Sequence, residues 1–109
     1  MQTTKINIRQ QKSVVIVDPK DIILCNAKGR YTNMKTVNET IFITKSIGEV
    51  ESILKDKCFC RVHQSYIVNI NFISEYCLSK NRIILKNKES INISVRKKKK
   101  FKQLIQGQL

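Results

Sequence analysis

The sequence predicts a mainly β fold of short antiparallel strands. Three observations lead there: the apolar residues fall in short β-branched runs, turn signals separate the runs, and aromatic side chains are scarce. Hydrophobic residues make up 41% of the chain and aromatic ones 6%, with no Trp. The core must therefore be built mainly of Ile, Val and Leu, which suit the pleated, half-buried surface of a sheet. With 109 residues, the chain has the usual size of one domain, and a single domain over residues 1–109 is expected.

Taken in order, the apolar runs lie at residues 6–8, 14–17, 22–24, 41–43, 66–70, 83–85 and 91–95, each the length of a strand. Between them stand Asp18-Pro19, Lys28-Gly29, Val37-Asn38, Lys80-Asn81 and Asn87-Lys88. There, Asn or Gly can adopt the left-handed conformations of tight hairpins. Residues 1–12 are polar between Ile6 and Ile8 and form either an edge strand or the stub of a linker. Two stretches read as helices. Ser46-Ile47-Gly48-Glu49 has the form of a capping box, and Ile47, Val50 and Leu54 share one helical face. This helix should reach about Lys55, exit through Asp56-Lys57 and cover the sheet. In residues 96–105, Phe101, Leu104 and Ile105 anchor one face of a terminal helix that Gly107 would stop. Its four consecutive lysines make it weak in isolation.

The chain carries 21 Lys and Arg against 8 Asp and Glu, a net charge of +13. Six of the cations and none of the acids lie in residues 96–109, which leaves +7 for the rest. Such a field attracts polyanions, either nucleic acid or an acidic membrane surface. No apolar run approaches the length of a bilayer, and residues 96–102 lack the aliphatic or Trp face of a membrane-surface helix, so no membrane partner is expected. No secretory signal precedes Cys25, Cys58, Cys60 and Cys77, which predicts reduced thiols in a cytoplasm. A zinc site is not expected: one residue separates Cys58 from Cys60, there is no Cys-x-x-Cys, and His63 is the only histidine. No cofactor is implied.

Cys58, Cys60, His63 and Ser65 fall within eight positions, which raises a nucleophile with His as its base. That chemistry also needs an orienting carboxylate and an oxyanion hole. A chain with three glycines offers neither a nucleophile elbow nor a phosphate loop. Cys25 to Arg30 places four residues between Cys and Arg where cysteine phosphatases have five. Neither catalysis nor a small-molecule substrate is expected.

Two stretches point to nucleic acid. Ile91, Ile93 and Val95 alternate with Asn92, Ser94 and Arg96, so period-two geometry sends the first set to the core and Arg96 outward at a strand's end. A guanidinium there can bond guanine O6 and N7 while Lys97 to Lys100 neutralise phosphates. In residues 59–69, polar Arg61, His63, Gln64 and Ser65 are bracketed by Phe59 on one side and Tyr66, Ile67 and Val68 on the other. A polar protrusion is thus held by a rigid core.

The pattern Phe59-x-Arg61-Val62-His63-x-Ser65-Tyr66-Ile67-Val68-Asn69 resembles the signature of the LytTR family of bacterial DNA-binding domains, found at the C-termini of many response regulators. Asp21-Ile22-Ile23-Leu24 with Ala27-Lys28-Gly29 and Tyr31 resembles that family's first hairpin, residues 47–54 the helix before the signature, and Ser90 to Arg96 the closing strand. The resemblance implies an elongated stack of three small antiparallel sheets, about ten strands, with one or two short helices. Loops, rather than a recognition helix, would enter successive major grooves. Lys28, Arg30, Thr32 and Asn33 would form the first contact region and His63, Gln64 and Ser65 the second. In the third, Arg96 would read a base and Lys97 hold phosphate. The implied function is sequence-specific binding of double-stranded DNA to regulate transcription, as the output domain of a cytoplasmic response regulator, with two molecules in tandem on direct repeats.

Several residues keep two readings. His63 bonds either a backbone carbonyl or a phosphate, and Arg61 braces Asp56 or Glu75. Asn69 fastens the turn after the signature. The alternative function is a single-stranded RNA- or DNA-binding small β module with exposed aromatic platforms. Against it, Phe42, Phe59, Phe72 and Phe101 sit in apolar surroundings that suit the core.

Overall fold

The computed structural model describes residues 5–55 and 57–106. Its ten strands form three antiparallel sheets of two, five and three strands, stacked in a body of 46 × 36 × 24 Å. The mainly β architecture with two helices is the one the sequence predicts.

Strands β1 (Ile6–Arg9) and β2 (Val14–Val17) form the first sheet, with Ile6, Ile8 and Val17 buried. Residues 6–9 are therefore a strand and not a linker. Asp18 caps the 3-10 turn Pro19–Asp21 that follows. Its carboxylate accepts from the Lys5 ammonium at 3.0 Å and from the Lys20 N–H at 3.1 Å, which holds its pKa below the ordinary carboxylate value.

The central sheet has the order β5-β4-β3-β7-β6, from β3 (Ile22–Lys28), β4 (Tyr31–Thr36), β5 (Thr40–Ile43), β6 (Phe59–His63) and β7 (Tyr66–Asn69). One face, with Cys25, Met34, Ile41 and Ile67, packs on the first sheet and on α1 (Ile47–Ile53). The other face, with Leu24, Val62 and Val68, packs on the third sheet and on α2 (Val95–Gln106) through Ile83, Leu85 and Phe101. Each such fully buried side chain contributes about 1.5–3 kcal/mol. The third sheet has the order β10-β9-β8, from β8 (Ile73–Cys77), β9 (Arg82–Leu85) and β10 (Ser90–Asn92).

Strands β4 and β6 lie outside the apolar runs because they alternate inward and outward residues along their length, and β8 because none of its residues is fully buried and its register shifts between Ile73 and Glu75. The same alternation corrects the reading of Phe42. Ile41 and Ile43 take the two inward positions of β5, so Phe42 faces outward and is 48% exposed.

Both halves of the capping box at Ser46 and Glu49 are formed, and the backbone and hydroxyl bonds from Ser46 lower the Glu49 pKa. Leu54 caps α1, so the helix itself ends at Ile53, two residues before the expected end. The expected exit at Asp56 and stop at Gly107 lie outside the described residues. Positive φ occurs at Gly29 (62°), Asn81 (50°) and Lys88 (77°). In the Asn87-Lys88 turn the lysine takes the left-handed position, and the Asn87 side chain accepts the Glu89 N–H.

All four thiols are free. Among the described residues no helix is long and apolar enough to cross a membrane, and no cluster of three or more His, Cys, Asp or Glu could hold a metal ion.

Candidate nucleic-acid interface

Lys28 pairs with Tyr31 across β3 and β4, which leaves Gly29-Arg30 as a two-residue turn. A glycine at φ 62° suits the first of these positions. Lys28 and Arg30 are exposed, and Asn33 is half-buried, facing Asn26 and Phe42 on the neighbouring strands. Thr32 departs from expectation. Neighbours on a strand point to opposite faces, so Thr32 and Asn33 cannot share one. Thr32 is fully buried and its hydroxyl donates to the Lys45 carbonyl at 2.8 Å. Its role is to tie β4 to the entrance of α1, and it is removed from the contact set.

The second turn joins β6 to β7, with His63 paired to Tyr66 after a bulge between Arg61 and His63. His63 Nδ1 accepts the Ser65 N–H at 3.0 Å, so the ring is an acceptor inside its own turn and not the donor to a backbone carbonyl that one sequence reading assigned to it. The neutral tautomer then carries its proton on Nε2. The Ser65 carbonyl accepts the Ala27 N–H at 2.9 Å and ties this turn to β3. Gln64 is exposed, while His63 and Ser65 are half-buried.

Arg61 organises this region more than the sequence suggests. Its side chain is 19% exposed and its guanidinium meets three acceptors. Nε donates to the His63 carbonyl at 3.3 Å, Nη2 to the Gln64 carbonyl at 2.6 Å, and Nη1 to the Glu51 carboxylate at 2.7 Å. The ion partner is thus Glu51 on α1 and not Glu75; Asp56 lies outside the described residues. A planar fork can hold several acceptors at once, which an ammonium cannot do in the same geometry. The available signal was an arginine two residues before a polar turn, with an acidic helix preceding its strand.

In the third region β10 stops at Asn92. The Ile93 N–H donates to the Asn81 carbonyl at 3.0 Å, and the Asn81 amide donates back to the Ile93 carbonyl at 2.8 Å. The Ser94 N–H donates to the Val62 carbonyl at 2.9 Å, while Ser94 accepts the Lys97 N–H through its carbonyl and its hydroxyl. Ser94 is therefore a helix N-cap. The alternation that buries Ile91 and Ile93 ends there. Val95, expected in the core, is 86% exposed, and Arg96 stands in the first turn of α2 instead of at a strand's end. Four lysines near a helix N-terminus oppose its dipole. Burial of Phe101, edge-on to Tyr76 with ring centroids 5.1 Å apart, offsets that.

The fold brings the second and third regions together. Arg61, His63, Gln64, Ser94, Arg96 and Lys97 line one open cleft of about 290 Å³. Lys28 and Asn33 line a separate recess of about 330 Å³ with Asn26, Lys35, Tyr66 and Glu89. An ion pair between Lys35 and Glu89 bridges the central and third sheets in that recess. On β6, beside Arg61, Cys60 is buried, which raises its pKa against the opposing pull of Lys100 and Lys97. Burial pushes the Cys25 thiol up to about 12.

The model of the LytTr DNA-binding domain family matches residues 12–106. Sensory transduction protein LytT of Bacillus subtilis (strain 168) is 32% identical over 104 residues, 93% of this chain and 43% of that protein. The heme-containing CO-sensing transcriptional regulator RcoM 2 of Paraburkholderia xenovorans (strain LB400) is 29% identical over 89 residues, 82% of this chain and 30% of that protein. The chain thus spans less than half the length of these curated relatives. Among solved structures, the LytTr DNA-binding domain of a methyl-accepting/DNA response regulator from Bacillus cereus has the same fold, with a TM-score of 0.80 and 21% identity, covering 96% of this chain and 98% of that one. A match over nearly the whole chain, on a fold whose polar turns project from a stack of small sheets, makes this chain a member of the LytTr DNA-binding domain family.

Proposed function

We propose that this domain binds double-stranded DNA sequence-specifically and regulates transcription, and that it reads successive major grooves with three loop regions. The observation that carries the proposal is the cleft that gathers His63 and Gln64 from one hairpin with Arg96 and Lys97 from the first turn of α2. Residues some thirty positions apart thereby form one cationic, hydrogen-bonding surface.

In the first region Lys28 holds phosphate, while Arg30 and Asn33 face base edges. In the second, His63 Nε2 and the Ser65 hydroxyl meet the backbone, and the Gln64 amide pairs with adenine or with phosphate. In the third, Arg96 takes guanine O6 and N7 and Lys97 a phosphate. Two molecules occupy short direct repeats in tandem. The domain works in the cytoplasm as the output part of a longer response regulator. That reading rests on the family and on the description of LytT as a sensory transduction protein.

Titrating the chain against duplex and single-stranded oligonucleotides at two salt concentrations tests the proposal. Duplex affinity should fall steeply with salt, by about 0.9 in log-log slope for each phosphate contact. Arg96→Ala should reduce discrimination between sites by about 1–3 kcal/mol, whereas Lys97→Ala should weaken all sites alike. Tighter binding to the single strand would sink the duplex reading. One observation favours that rival, the single-strand module: the exposed pair Tyr31 and Phe42.

A further inference from the structure

Tyr31 on β4 and Phe42 on the edge strand β5 are exposed aromatic rings of the central sheet, at 40% and 48% exposure. Their centroids lie 5.3 Å apart at 58°, so each ring covers the other's flank and leaves a broad side open. Register puts them on a defined face. Tyr31 and Asn33 alternate to the same side of β4, Phe42 stands directly across from Asn33, and Lys28 stands across from Tyr31. The opposite side of these two strands is the buried one, filled by Met34, Ile41 and Ile43. The rings therefore contribute nothing to that core. They form an apolar ledge that adjoins the cationic turn of Lys28 and Arg30.

We infer that the Tyr31–Phe42 ledge is an apolar footing for duplex DNA beside the Lys28–Arg30 turn, packing against the carbon-rich surface of a nucleotide, either deoxyribose or thymine methyl. The inference rests on the duplex reading above. Charge selects this occupant: the turn that ends at Tyr31 presents two cations and no acid, which suits a polyanion and repels a basic surface such as a second copy of this +13 chain. A phosphate held by Lys28 brings its own sugar to the neighbouring ring. In the major groove the thymine methyl is the apolar feature a side chain can meet.

The test uses the full chain and a duplex selected from random sequences, with affinity measured by fluorescence anisotropy at several salt concentrations. Phe42→Ala and Tyr31→Ala should each weaken binding about threefold to tenfold, by the same factor at every salt, because an apolar contact releases no counterion. Lys28→Ala should instead flatten the salt slope by about 0.9. Replacing thymines one at a time by deoxyuridine separates the two sources. A loss seen in the unaltered chain but absent in Phe42→Ala identifies a methyl contact, and equal effects in both identify the sugar. Thermal melting controls for folding, and Phe42→Thr keeps a strand-favouring residue where Ala loosens the edge strand.

The inference is overturned if both ring variants bind the duplex within twofold of the unaltered chain, or if their salt slopes flatten as that of Lys28→Ala does. It is overturned equally if the ring variants lose affinity for single strands only. Failure of the unaltered chain to bind any duplex would remove the duplex reading and this footing together.

Discussion

The Gly29-Arg30 turn and the Gln64-Ser65 turn are both two-residue connections of the central sheet, yet they are held in different ways. The second is clamped. Arg61 bonds the carbonyls of His63 and Gln64, His63 accepts from Ser65, and Ser65 accepts from Ala27. The first is shaped by its backbone, with Gly29 at φ 62° and open space within 4 Å of where a β-carbon would stand, apart from its chain neighbours. A clamped turn presents its groups in one arrangement, which suits the backbone-positioning role proposed for it. A turn held only by its strand ladder leaves the Arg30 side chain unclamped, which suits the base-reading role proposed for it.

The largest way to break this contrast is Arg61→Ala. It removes a guanidinium that is 19% exposed from two carbonyls and from Glu51, whose carboxylate stays open to water, and should cost about 1–2 kcal/mol, read by denaturant unfolding. It should also weaken DNA binding, while Arg61→Lys restores only part of either loss. An unchanged unfolding midpoint for Arg61→Ala would mean that the clamp does not hold the turn.

Gly29→Ala comes next, at about 1 kcal/mol, from the left-handed backbone alone since space is open there. Gly29→Asn should cost less, because Asn tolerates that conformation. If Ala and Asn destabilise equally in thermal melts, some factor other than φ governs the turn.

Glu51→Gln should cost below about 1 kcal/mol, since Glu51 is 47% exposed and Gln can still accept from Arg61. A loss approaching that of Arg61→Ala would make the ion pair, and not the two carbonyl bonds, the main brace.

The smallest effect expected is a pH dependence away from both turns. Asp18 has its pKa lowered first by the Lys5 hydrogen bond, then by the bond to the Lys20 N–H and the charges of both lysines. A carboxylate with a depressed folded pKa stabilises the fold above its unfolded pKa, and that contribution is lost as pH falls through the folded value. Melting curves recorded downward through the acid range should show the loss, and Asp18→Asn should lack this component.

Much of the scaffold was legible because local chemistry suffices for it. Ser46 and Glu49 form their capping box, Asn69 accepts the Asn71 N–H as the turn reading required, and the alternation in 91–93 buries the residues it predicts. Asn69 also donates to the Ile22 carbonyl at 2.9 Å, a bond between segments 47 positions apart that no local pattern carries. Thr32 could have been excluded from the contact set by its adjacency to Asn33 on one strand. Val95 could not be placed from alternation, since a strand and a helix share that stretch and the switch depends on Ser94 reaching the Val62 carbonyl.

The sequence by itself determined the family, the strand-rich fold, the cationic character and the local caps and turns, because these depend on residue type, spacing and near neighbours. Tertiary structure alone decided which candidates share a surface. It joined Arg96 and Lys97 to the His63 turn and chose Glu51 as the partner of Arg61. The physical reason is that strand pairing and sheet stacking fix the relative positions of segments far apart in the chain, and burial and charge pairing are settled only once those segments meet.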